Sequence, residues 1–223
     1  MDWLSYLPPL LTGARVTIEL TVYSTVLGAL FAFLFGIGRL SRSRACRWAS
    51  ICVIEVFRGT SLLVQLFWLF FALPVLGQAL GIDLRLPPVA AGTLALALNI
   101  GAYGAEVVRG AIQAVPLNQH EAAKALDFTP RQTLWRICIP QAVPEMLPSF
   151  SNLAVQNLKD TALVSLIGLG DMAFQAERIR NFTQDSVSVY TLLLLMYFGM
   201  ALVLAAGMHV LEGHVGRWRV GRS

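Results

Sequence analysis

The chain has 223 residues, 56% of them hydrophobic and 13% charged, with a mean hydropathy of +0.64 and a formal net charge of +4. Soluble domains carry about 25% charged residues, and a globule of this size leaves too much surface in water to hide so apolar a composition; part of the solvent is lipid. Cys46, Cys52 and Cys138 are scattered, which excludes a disulfide framework and a zinc-type spacing and leaves them as buried spectator thiols, and the positive charge reads as membrane sidedness rather than nucleic-acid binding.

A spanning helix needs about 20 mostly apolar residues. The N-terminal stretch MDWLSYLPPLLTGARVTIEL lacks a basic n-region leading straight into an apolar run, and no small-residue cleavage site follows, so the first run is expected to stay as a span. Span one reads from Val16 to Gly38, and its small residues Gly28, Ala29, Ala32 and Gly36 admit a second helix at close range. It ends in Arg39, Arg42, Arg44 and Arg47. Span two reads from Ile51 to Leu73, with a stop near Pro74 and a short loop containing Asp83 and Arg85. Span three opens at Pro87 and Pro88, where proline is tolerated, and runs to Val108. A polar loop of about thirty residues, Arg109 to Pro140, follows. Span four, Pro148 to Gly170, is apolar but studded with polar residues; a mixed-charge stretch, Asp171 to Ser186, precedes span five, Val187 to Met208. The tail carries Arg217, Arg219 and Arg222.

The sequence thus predicts an all-α polytopic membrane protein of one domain, 1–223, with five transmembrane helices. Arg39 to Arg47, the loop with Lys124, Arg131 and Arg136, and the tail all fall on one face, which the positive-inside rule makes cytoplasmic. The N-terminus is then outside and the C-terminus cytoplasmic.

A bilayer protein does not need so long a loop merely to turn round. Asn118 with Glu121 at the third helical position has the spacing of a capping box, and eleven residues later Thr129, Pro130 and Gln132 repeat it. The loop therefore predicts two short helices, Gln119 to Leu126 and Pro130 to Cys138, with Asp127 and Phe128 as the turn and Pro140 just past the end. Ala122, Ala123 and Ala125 keep the first helix slim, while Leu126, Phe128, Leu134 and Trp135 supply apolar anchors. From the residues alone, the loop either receives a partner or folds back on its own membrane domain.

The stretch GAYGAEVVRGAIQAVPLNQHEAAKAL, followed by RICIPQA, resembles the Glu-Ala-Ala loop of bacterial ATP-binding-cassette (ABC) importer permeases, in the branch that takes up polar amino acids such as histidine, glutamine and arginine. IEVFRGTSLLVQLFW and LKDTALVSLIGLGDM resemble two further segments of that family, in the same order and at similar spacing. The resemblance implies cytoplasmic coupling helices between spans three and four, over about 109–145. It implies docking on a separate ATPase through Glu121, Ala122, Ala123, Leu126, Asp127 and Phe128, with Glu121 as the main polar contact. It further implies a second permease subunit, an extracytoplasmic solute-binding protein and a place in the bacterial inner membrane. Two residues depart from the family pattern: Asp127 stands where glycine is usual at the turn, and Ser61 where proline is usual. No G-x-x-x-x-G-K-[ST] phosphate loop occurs in the chain, so its energy is expected from another subunit; no cofactor and no metal site are expected.

Charges at mid-bilayer cost about 3 kcal/mol on insertion scales and need a reason. Asn152, Gln156 and Asp160 share a helical face, with Lys159 at its edge and Thr161 following. Asn99 and Tyr103 in span three and Gln65 in span two join them as a candidate path for a charged solute. The competing reading is helix–helix glue, with Lys159 paired to Asp160 or Glu106 and Arg58 to Glu55; Glu55, Arg58, Glu106 and Arg109 lie near span ends and read as interfacial charges. His209 and His214 lack metal-ligand spacing, and scattered histidines speak against a membrane enzyme. A non-transporting receptor or scaffold using the same loop is the alternative to a permease. The resemblance implies a polar amino acid as the solute, and the span-two segment also resembles permeases of ectoine-like compatible solutes.

Overall fold

The computed structural model describes residues 3–220, with side chains from 5 to 215. Of the tail arginines, the side chains of Arg217 and Arg219 and the whole of Arg222 lie outside the described residues. The described chain is all helix, without a strand. Helix α1 (Trp3–Arg39) has 37 residues, about 55 Å at the α-helical rise, and so extends well beyond a hydrocarbon core of about 30 Å.

The second expected span is two helices. α2 (Arg44–Gly59) ends at Thr60, and Thr60 and Ser61 are extended (φ −120°, ψ 157° and φ −70°, ψ 135°) before α3 (Leu62–Phe67) begins. Pro74 does not stop the chain: a π-helical segment, Trp68–Ala72, leads into α4 (Leu73–Ala79). A helical proline forfeits the bond to the carbonyl four residues back and crowds it. For Pro74 that carbonyl belongs to Phe70, the middle of the π segment, where the wider turn makes room.

The same device recurs in the loop. After α5 (Pro88–Gln113) and α6 (Leu117–Ala125), α7 (Pro130–Thr133) runs through a second π segment, Leu134–Cys138, into α8 (Ile139–Asp160). The carbonyl four residues before Pro140 is that of Arg136, again mid-segment. The second loop helix therefore does not end at Cys138; it continues past Pro140 as one rod, 130–160. Nor does a helix begin at Pro148: Pro144 and Pro148 lie inside α8, and regular α-helix stops at Asp160, giving way to a 3₁₀ segment, Thr161–Ile167, ended by Gly168 at φ +80°. The mixed-charge stretch after it forms α9 (Met172–Thr183), and the last apolar run forms α10 (Ser186–Val220). Among the described residues, four helical stretches are long and apolar enough to cross a membrane: Ser5–Arg39, Leu62–Ala79, Pro88–Gln113 and Ser186–Val215. The polar residues of α8 keep it out of that set.

α1 packs most extensively on α5. Gly28, Ala32 and Gly36 form the seam, against Ala97, Gly101, Gly104, Ala105 and Val108. A Cβ on Gly36 would stand 2.8 Å from the Ala105 carbonyl oxygen and 2.8 Å from Val108 Cβ, and one on Gly104 would stand 2.7 Å from Ala32 Cβ. Ala29, expected on the same face, instead borders an apolar crevice with Phe33 and Met208. Cys138 is buried, but Cys46 and Cys52 are exposed, against the expectation for all three thiols.

At the other end, α9 is pinned to α1. Asp171 is fully buried and caps α9, accepting from the N–H groups of Ala173 (3.2 Å) and Phe174 (3.0 Å), while the Met172 N–H donates to Thr17 Oγ1 at 3.2 Å. Burial pushes the Asp171 carboxyl up to about 6, against the pull of its backbone donors. The buried Tyr197 hydroxyl faces it without a hydrogen bond of normal geometry.

Replacing Gly36 by Leu overpacks the seam, at a cost of about 1–3 kcal/mol or more. The thermal midpoint of the detergent-solubilised protein should fall by several degrees, while Gly207→Leu, whose Cβ would meet nothing within 4 Å, should leave it unchanged. The raised Asp171 pKa means that its stabilisation is fully present below the unfolded-state carboxylate value and is lost as pH rises through about 6. Asp171→Asn, neutral at every pH, should melt higher than the parent at pH 8, by less at pH 5, and with the parent near pH 3, below the unfolded-state carboxylate value.

Candidate functional site

The residues singled out by the sequence gather at the two ends of the 130–160 rod. At one end, α6 stops with the Phe128 N–H donating to the Ala123 carbonyl (3.0 Å) and the Asp127 N–H to the Lys124 carbonyl (3.1 Å), the bond pair of a Schellman stop. Asp127 takes the left-handed position at φ 53°, at a cost of about 1 kcal/mol that glycine would not incur. The Thr129 capping box forms: its N–H donates to Gln132 Oε1 at 2.8 Å and its Oγ1 accepts from the Gln132 N–H at 3.4 Å. The Asn118 box does not form. Pro116, with its preset φ of −56°, occupies the cap position, so α6 starts at Leu117 and Asn118 lies inside it.

Glu121 is thereby left free of the cap and exposed, as are Ala122, Leu126 and Asp127. Leu117 and Trp135 extend this surface at 78% and 55% exposure. Phe128 is half-buried under the Arg136 guanidinium, 6.0 Å from the ring centroid. Ala123 departs from the expectation: it is fully buried and turned to its own domain, where His120 Nε2 lies 3.5 Å from Cys138 Sγ. Leu134 likewise packs inward, on a cluster that includes Val108, Ile112 and Met146.

At the other end of the rod, α8 and α5 enclose a cavity of about 400 Å³, inside the size range of small-molecule sites. Its polar walls are Asn99 and Tyr103 from α5 and Gln156, Asn157 and Asp160 from α8. Gln156 Nε2 donates to Asp160 Oδ1 at 2.9 Å, which orients the only carboxylate on the walls. Arg58 stands over the Tyr103 ring, 5.5 Å from its centroid, and brings a cation to the rim.

Four residues expected on the path do not line this cavity. Asn152 is exposed one turn nearer the loop; Lys159 is exposed and makes no ion pair within 4 Å among the described residues; Thr161 is fully buried and donates to the Leu158 carbonyl. Gln65 lies behind the wall. The break at Thr60 frees carbonyls at the end of α2, and Gln65 Nε2 serves Phe57 O (2.8 Å), Thr60 O (3.2 Å) and Thr60 Oγ1 (2.8 Å), while its Oε1 accepts from Asn99 Nδ2 at 3.1 Å. Gln65 thus positions Asn99. The expected glue pairs also differ. Glu106 pairs with Arg39 and, at 2.9 Å, with Arg109, and Glu55 lies 3.9 Å from Arg39.

Asn157 carries more of the assembly than its sequence context suggests. It is buried at 3% exposure and its Nδ2 reaches Ser24 Oγ (2.7 Å) and Thr25 Oγ1 (2.9 Å), tying the cavity wall to α1. The Ser24 and Thr25 hydroxyls on α1, at helical spacing from Thr21 and Thr17, were the signal for it. Ser151 on α8 similarly donates to Glu212 on α10.

A family model described as "binding-protein-dependent transport system inner membrane component" matches residues 24–217. The chain is 64% identical to a probable amino-acid ABC transporter permease of Sinorhizobium fredii, over 98% of this chain and 92% of that one. It is 33% identical to an L-cystine transport system permease of Bacillus subtilis, over 96% and 89%. It resembles a chain of an amino acid ABC transporter crystallised with histidines, with a TM-score of 0.85 at 33% identity, over 96% and 99% of the two chains.

Proposed function

Because the chain belongs to the family of binding-protein-dependent transport system inner membrane components, we propose that it forms the path of an amino-acid importer and is driven through its loop by a separate ATPase. It is a permease subunit of an amino-acid ABC transporter, a multi-pass inner-membrane protein and not itself catalytic. The observation that carries the reading is the cavity between α5 and α8, on the same rod as the exposed docking turn.

The solute sits in that cavity. The Asp160 carboxylate, oriented by Gln156, takes its ammonium group, and Arg58 at the rim takes its carboxylate. Asn99 and Tyr103 complete the wall. The relatives' names speak of amino acids, including cystine, which favours an amino acid over an ectoine-like solute. α8 with its 3₁₀ extension is the fourth of five crossings, polar because it borders the path, and the N-terminus is outside. Glu121, Ala122, Leu126 and Asp127, with Trp135, enter a groove on the cytoplasmic ATPase. A second permease subunit completes the path, and an extracytoplasmic binding protein delivers the solute. The chain has no nucleotide site of its own, consistent with the absence of a phosphate-loop motif. A non-transporting receptor or scaffold is not favoured, since it leaves the polar cavity without a purpose.

Uptake of radiolabelled amino acid into proteoliposomes holding the complete assembly tests both ends. Glu121→Lys should release the ATPase from the purified complex and abolish uptake while the subunit still inserts. Asp160→Asn should keep the ATPase bound and lower uptake by about tenfold or more, the loss expected for one charge-assisted hydrogen bond. Normal uptake by the first variant refutes the docking role, and normal uptake by the second refutes the cavity.

A further inference from the structure

We propose that Arg42, Arg44 and Arg47, together with Trp48, form a seat for anionic phospholipid headgroups at the turn between α1 and α2. α1 is an apolar span that ends at Arg39, and α2 starts again at Arg44. Arg42, Arg44 and Arg47 are all exposed, and none has a carboxylate within 4 Å among the described residues. Their neighbours differ: Arg39 and Arg109 share Glu106, and Arg39 also approaches Glu55. α2 has no acid in its first turn, and Glu55 is its first carboxylate. The internal charge of the protein therefore does not balance these three guanidinium groups.

The face they share places them relative to the bilayer. Arg44, Trp48, Cys52 and Val56 follow one another at a spacing of four and are all exposed, Trp48 at 66% and Val56 at 52%. Along this stripe a cation gives way to an indole, then to a thiol and an aliphatic side chain. That order is the order of a membrane boundary, with tryptophan at the interface, Arg47 beside it, and Arg44 one turn nearer water with Arg42 beyond, at the level of phosphate groups. Guanidinium forks match phosphate oxygens two at a time, and basic residues just beyond a span draw acidic lipids with an attraction that salt screens. A water-borne protein surface would match the arginines but not the apolar continuation through Cys52 and Val56; an acidic lipid matches both. The seat is separate from the cavity and the docking turn, and it stands whether or not those roles hold.

The test uses the purified complex in nanodiscs that contain either brominated phosphatidylglycerol or brominated phosphatidylcholine at equal mole fraction. Quenching of Trp48 is obtained as the difference between the parent and Trp48→Phe. Phosphatidylglycerol should quench Trp48 more strongly, by about threefold or more at low salt. The preference should shrink at high salt and disappear in a variant with Arg42→Gln, Arg44→Gln and Arg47→Gln, which should still be quenched by both lipids alike. Equal quenching of the parent by the two lipids overturns the proposal. So does quenching by neither, which would show the face covered by a protein neighbour. If the triple variant does not assemble, the parent decides: a lipid preference that salt leaves unchanged also overturns it.

Discussion

The close approach of α1 and α5 is the constraint on which the rest of the structure depends. Lipid gives helices no hydrophobic reason to associate, so small residues that let backbones touch supply the packing. Gly28, Ala32 and Gly36 meet Ala97, Gly101, Gly104 and Ala105 over more than two helical turns. This pair is the wall against which the other elements are set. α2 and α3 lie against α5 on one side, joined by Gln65 and its bond to Asn99. α8 packs on α5 and is held to α1 through Asn157. α9 is tied to α1 where the Met172 N–H donates to Thr17. α10 is the loosest element, with little of its apolar length covered and Glu212 bonded to Ser151 as one of its few polar ties.

With α1 and α5 fixed, the geometry of α8 links two sites. The exposed turn with Glu121 and Asp127 sits at the foot of a rod whose other end carries Gln156 and Asp160. From Pro130 onward the connection between them is helix, while Glu121, on α6, is joined to it through the turn at Asp127. The π segment at Leu134–Cys138 lies between the two sites, with Pro140 accounting for it, and Pro144 and Pro148 lie inside α8 beyond it. Polar residues in α8 make it a poor candidate for a lipid-embedded helix by composition, and the same residues make it a cavity wall. One set of side chains thus explains both why hydropathy alone picks out four spans and why a polar-walled cavity lies beside the remaining helix.

Much of this was legible in the residues, for identifiable reasons. Spacing of apolar runs located α1, α5 and α10, because hydrocarbon thickness imposes a length. The Thr129–Gln132 box and the Asp127 turn were readable because they are local, made by residues within a few positions of one another. Asn99, Tyr103, Gln156 and Asp160 were found together because polar groups in an apolar segment are few. What was missed depended on distant partners or on proline context. The Asn118 box failed because Pro116 had already fixed the helix start. Pro74 and Pro140 read as stops because proline breaks an α-helix, whereas a π turn lets the helix pass. Nothing local told Gln65, which serves the broken end of α2, from Gln156, which faces the cavity. Ala123 and Ala122 are alike in sequence, and only the packing of α6 shows which of them is covered.

The central claim is that the proposed docking turn and the cavity wall are joined by one rigid element, the 130–160 rod. Electron–electron distance measurement tests it directly, with spin labels at Arg131→Cys and Asn152→Cys in a background where Cys46 and Cys52 are replaced by serine. Both labelled positions are exposed, and the helical rise places them about 30 Å apart. The account predicts the same distance in the nucleotide-free and ATP-trapped complex. A change of about 5 Å or more between the two states would mean that the rod breaks or slides at the π segment, and that the turn does not drive the wall.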